Sequence, residues 1–161
     1  LFFIINTSYA DIENNHDPNK SNDEIKHWVL VKPKPTIRPA EVLLIQLNAL
    51  KNNSNPYVDF GIEQTWEFAH PNNKIITGPL EKFKKMIYSE SYEILIDHEN
   101  HKVEKIEETD SKQSFKVFVL SKDKKKYYYI WQVEKVLADG GLKNCWMTTN
   151  VSNPRYLGDV I

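Results

Sequence analysis

Residues 114–151, SFKVFVLSKDKKKYYYIWQVEKVLADGGLKNCWMTTNV, hold three runs rich in β-branched and aromatic residues, separated by turn signals. The runs are SFKVFVLS, KYYYIWQVEKVLA and LKNCWMTTNV; KDKKK and Asp139-Gly140-Gly141 form the tips between them. The preceding HKVEKIEET, residues 101–109, adds another strand, so the second half of the chain predicts an antiparallel meander of about four strands. In the long central run Tyr127, Tyr129, Trp131 and Val133 share one face, and Tyr128, Ile130 and Gln132 the other. Apolar groups on both faces predict a central strand covered on both sides, by helices and by a second subunit in a homodimer formed through the sheet.

Upstream the period changes from two to that of a helix. Pro39 suits a first helical position and Glu41 the first turn, and PAEVLLIQLNALK places Leu43, Leu47 and Leu50 on one face, widened by Val42, Ile45 and Ala49. In DFGIEQTWEFAH, Ile62, Trp66 and Ala69 recur at helical spacing behind Asp59 as a cap, and Pro71 predicts a stop at His70. GPLEKFKKMIYS reads as a third helix, with Pro79 as its first residue and Leu80, Phe83 and Ile87 on one face. A short helical turn at ESYEILI follows. Helices followed by strands give an α+β fold, with the N-terminal helices packed on one face of a curved antiparallel sheet.

The chain of 161 residues fits one domain, expected over residues 37–161. Before it, Leu1 to Ile5 and the small-x-small Ser8-Tyr9-Ala10 resemble the end of a signal peptide, so residues 1–10 are expected to be its remnant and the protein to be exported, periplasmic or secreted. Residues 11–36 are expected to form a flexible leader and then an extended arm, since Pro33 and Pro35 exclude a central strand. No other stretch reaches the length of a membrane span. A net charge of -1 supplies no field for nucleic acid. The single cysteine, Cys145, excludes an intrachain disulfide, and its apolar neighbours predict a buried, inert thiol.

EVLLIQLNAL, GIEQTWEFAHPNNKIITGPLEKFKKMI, YYYIWQVEKV and LKNCWMTTNV together resemble the family called domain of unknown function 4864, with Phe68, Ala69, Pro71, Gly78, Pro79, Leu80, Phe83 and Met86 as its signature. Members are exported bacterial proteins and plastid-targeted proteins, so the resemblance adds the plastid or thylakoid lumen as the alternative address. It implies the NTF2-like, cystatin-like cone, in which helices and a concave sheet enclose a pocket. On that scaffold the implied pocket residues are Tyr129, Trp131 and Cys145 on the strands and Tyr92 on the third helical region.

The charged clusters carry little chemistry of their own. His70-Pro71-Asn72-Asn73 reads as a surface or helix-terminal histidine, where an imidazole suits a C-terminal dipole, and Thr77-Gly78-Pro79 as a plain helix start. Asp97, His98, Glu99, His101 and Glu104 match no metal spacing; on a strand His98 and His101 point to opposite faces, so a solvated strand start is expected, with no metal and no cofactor. Isomerase chemistry needs a carboxylate in an apolar pocket, yet Asp59 and Asp97 fall at element boundaries and Glu134 alone sits within an apolar strand. The expected function is therefore a non-catalytic module binding a small apolar molecule or a protein. The alternatives are a cone-fold isomerase or dehydratase acting through Tyr129 or Tyr92 with an unplaced acid, and a dimeric interaction module.

Overall fold

The computed structural model describes residues 29–160; the expected signal-peptide remnant and the leader up to Trp28 lie outside the described residues. Four helices come first: α1 (Pro39–Lys51), α2 (Phe60–Glu67), α3 (Pro71–Thr77) and α4 (Leu80–Ile87). A 3₁₀ turn at Glu93–Leu95 leads to β1 (Asn100–Glu108), β2 (Lys112–Leu120), β3 (Lys125–Lys135), β4 (Trp146–Val151) and β5 (Arg155–Asp159). The architecture is α+β, with helices packed on a curved antiparallel sheet ordered β1-β2-β3-β4. β5 is an addition to the expected meander. It pairs with the first half of β3, at Lys125 to Tyr128, while β4 pairs with the second half, at Trp131 to Lys135. The two short strands thus share one edge of the long one.

One core unites the layers. Val42, Leu43, Leu47 and Leu50 of α1 meet Ile62, Phe68, Phe83 and Ile87 from the other helical segments and Phe115, Val117, Tyr129, Trp131 and Val133 from the sheet. Alternation along β3 therefore works as expected on the helix side. The opposite face is partly covered within the chain itself. Tyr128 and Ile130 there are half-buried, and the Lys116 ammonium lies over the Tyr128 ring at 4.2 Å. A long lysine stem shields part of that face, and the β3–β4 loop covers another part, where Leu142 packs on Val136, Cys145 and Met147. The arm packs on the domain through Gln64, whose amide donates to the Val31 carbonyl at 2.9 Å and accepts from the Val31 N–H at 2.7 Å.

The segment between α2 and α4 corrects the sequence reading. α2 ends at Glu67, before His70, because the next backbone turns to the sheet: Thr148 N–H donates to Phe68 O and His70 N–H to Thr148 O, both at 2.8 Å. Pro71 then opens a helix of its own instead of a corner. His70 is buried and caps the N-terminus of α3, its Nδ1 accepting from Asn72 N–H at 3.1 Å, so it is neither a surface residue nor at a helix C-terminus. Pro79 stands just outside α4, whose first residue is Leu80. Asp59 occupies the position before α2, but its carboxylate accepts from the Tyr88 hydroxyl, and Asn53 caps the helix, its Oδ1 taking Ile62 N–H at 3.0 Å.

Candidate functional site

Where α1, α2, α3 and α4 meet β3 and β4, they line a partly open cavity of about 110 Å³. Its wall is mainly apolar, with Leu50, Phe83, Met86, Ile87 and Leu95 beside Trp131 and Val151. Asn73 and Thr77 of α3 form part of the boundary, yet no residue of α3 is buried. This small helix is held to the sheet by Asn73 Nδ2, which donates to Thr148 O at 3.3 Å, as well as by the His70 backbone.

A relay of polar side chains crosses the cavity wall. Trp131 Nε1–H donates to Thr148 Oγ1 at 3.0 Å, Thr148 Oγ1–H donates to Gln46 Oε1 at 2.6 Å, and Gln46 Nε2–H donates to the Thr65 carbonyl at 3.0 Å. Chemistry fixes its direction: an indole N–H only donates and a carbonyl only accepts, so neither the Thr148 hydroxyl nor the Gln46 amide can be reversed. Gln46 is 1% exposed and Thr148 3%. In such surroundings a broken member leaves partners unpaired. Thr148→Val removes the acceptor of Trp131 and the donor to Gln46 while keeping shape, and is expected to cost about 2 kcal/mol in urea unfolding, with Thr148→Ser close to wild type.

The residues expected to form a pocket divide. Tyr92 and Trp131 line the cavity. Tyr129 stands behind Tyr92, rings stacked with centroids 6.5 Å apart, and donates to Ser91 O at 2.9 Å. Tyr92 donates to Val151 O at 3.0 Å. Burial raises the pKa of both phenols, so they remain neutral donors. Cys145 lies apart, fully buried beside Val136, Met147 and Leu142, and burial raises its thiol too. Gln46, Thr65 and Thr148 were absent from the sequence expectation. Gln46 did leave a trace, as a polar residue inside the apolar stripe of Val42, Leu43, Leu47 and Leu50. Thr65 and Thr148 left none.

The acids expected at element boundaries are occupied elsewhere. Asp59 faces Tyr88, with Lys84 Nζ at 3.8 Å; Lys84 also reaches Glu63 at 3.0 Å. Asp97 Oδ1 accepts from Asn53 N–H at 3.2 Å. Glu134 sits on the face of β3 opposite Trp131, taking a hydrogen bond from Gln132 Nε2 at 2.7 Å. The histidine pair differs most from expectation. His98 lies in the turn before β1, where strand alternation does not hold, and it is 1% exposed instead of solvated. Its Nε2 is 2.7 Å from His101 Nδ1, and its Nδ1 is 2.7 Å from Leu95 O. The Leu95 carbonyl fixes His98 as the Nδ1–H tautomer, so its Nε2 accepts from His101 Nδ1–H. Among the described residues no group of three or more His, Cys, Asp or Glu converges as a metal site.

The cavity therefore offers amide, hydroxyl and indole dipoles within an apolar wall, and among the described residues no carboxylate, imidazole or thiol lines it. Comparison with protein-family models, with curated proteins and with solved structures finds no match to this chain.

Proposed function

We propose that this domain is a non-catalytic binding module that encloses one small molecule between its helices and its sheet. The observation that carries the proposal is the cavity itself: an apolar wall crossed by an oriented polar relay and lined, among the described residues, by no carboxylate, imidazole or thiol. Ligand sites in general combine a mostly apolar lining with a few placed polar groups. The NTF2-like cone, and within it the family called domain of unknown function 4864, is the scaffold we propose, on the order of helices before meander and on the signature around Phe68 to Met86. The isomerase alternative still needs a base, and Asp59, Asp97 and Glu134 are engaged outside the cavity.

Size sets the ligand. A cavity of about 150 Å³ holds benzene, so about 110 Å³ suits a compact molecule no larger than benzene, with about six non-hydrogen atoms at most. The test is an NMR titration of ¹⁵N-labelled protein with cyclopentanone and with methylenecyclopentane. Saturable shifts at Tyr92, Leu95 and Thr148 with at least one of them are expected. Folded protein that shows no saturable shift with either refutes the proposal.

A further inference from the structure

We infer that the cavity selects an uncharged molecule bearing a hydrogen-bond acceptor, a ketone or amide carbonyl, through the Gln46 side-chain amide; this rests on the binding reading above. A glutamine amide carries two N–H groups. Gln46 Nε2 makes one hydrogen bond among the described residues, to Thr65 O at 3.0 Å, and its Oε1 is occupied by the Thr148 hydroxyl. The amide cannot be turned over to spend its donors differently, because its Nε2 faces the Thr65 carbonyl, which only accepts. Gln46 lines the cavity and is 1% exposed, so its second N–H can be served only from within the cavity, and a ligand that displaces water there without an acceptor leaves it unpaired. An unpaired buried donor costs free energy that an acceptor on the ligand removes.

Charge is selected against from both sides. Among the described residues no lysine, arginine, aspartate or glutamate lines the cavity, so a carboxylate or an ammonium entering it would lose hydration without gaining a counter-ion. The remaining hydroxyls are committed within the protein: Thr65 Oγ1 donates to Gly61 O at 2.8 Å, Thr77 Oγ1 to Asn73 O at 2.9 Å and Tyr92 to Val151 O. The cavity's other amides are Asn73, whose Nδ2 donates to Thr148 O, and the exposed Asn150; Gln46 is thus the fully buried amide donor that distinguishes a carbonyl from an alkene of the same shape.

Cyclopentanone and methylenecyclopentane differ by C=O against C=CH₂ at nearly constant size. The ketone is expected to bind about tenfold more tightly, and the Gln46 side-chain protons are expected to move downfield with the ketone alone. Gln46→Leu should equalise the two ligands, and the amide-proton readout on the wild-type protein decides the matter even where that variant unfolds. Equal affinities with unmoved Gln46 protons overturn the inference and leave the binding module standing. Tighter binding of cyclopentanecarboxylate or cyclopentylammonium also overturns it. If neither neutral ligand binds the folded protein, the cavity reading falls, and this inference with it.

Discussion

Lowering the pH from 6.5 to 4 is expected to remove about 3 kcal/mol of stability through His98 alone. Burial, first of all, pushes the His98 pKa down to about 4, with His101 and Lys51 adding to the effect and the Leu95 carbonyl and Asp97 opposing it. The folded protein therefore holds a neutral imidazole where the unfolded chain takes up a proton near pH 6.5. Stability from this group is complete above pH 6.5 and falls as pH drops towards 4, below which both states are protonated and the loss stops growing. Protonated His98 turns its Nε2 from an acceptor into a donor, so the bond that ties the 3₁₀ turn to the start of β1 then requires His101 to carry its proton on Nε2, and it is lost once His101 is protonated as well. His70 and His101 are also depressed, chiefly by burial, and act in the same direction. Urea midpoints measured across this range check the slope. A His98→Gln variant, which cannot titrate, should flatten it; an unchanged slope assigns the acid sensitivity elsewhere.

Gly61→Ala is expected to destabilise the fold by about 3 kcal/mol. A Cβ at this position would lie 2.2 Å from Ala49 O and 2.9 Å from Asn53 Cα, and both are backbone atoms that cannot rotate away. The close approach of α1 and α2 exists because residue 61 has no side chain, and Gly61 N–H uses it to reach Asn53 O at 3.1 Å. Relief requires the two helices to separate. That motion would part Gln46 on α1 from Thr65 on α2 and so open the polar relay as well as the core. Gly141→Ala is the matched control, since a Cβ there meets nothing within 4 Å, and it should stay within about 0.5 kcal/mol of wild type. Denaturation of the two variants side by side separates the clash from any general effect of alanine.

Much of the secondary structure was legible because it is written in local periodicity. Pro39 and the Leu43–Leu47–Leu50 stripe mark α1, and the alternation from Tyr127 to Val133 marks the buried face of β3. What was missed lacks such a signal. α3 buries none of its residues, so PNNKIIT shows no apolar face to read. RYLGD is short and mostly exposed, and it becomes a strand because β3 extends past the end of β4 and leaves an edge to pair. The early end of α2 at Glu67 follows from backbone hydrogen bonds to Thr148, about eighty residues downstream.

The same division governs the site. The sequence alone determined that the chain is α+β and that helices precede a meander; Tyr92 and Trp131 entered as pocket residues only through the family resemblance. Periodicity and turn chemistry are properties of neighbours along the chain. Only the tertiary structure decided that Gln46, Thr65, Trp131 and Thr148 join in one directed relay, that His98 finds His101, and that Cys145 is sealed away from the cavity. Gln46 and Thr148 lie 102 positions apart. Their hydrogen bond depends on how α1 is laid across the sheet, and that placement is set by Gly61 and by the packing of the whole core.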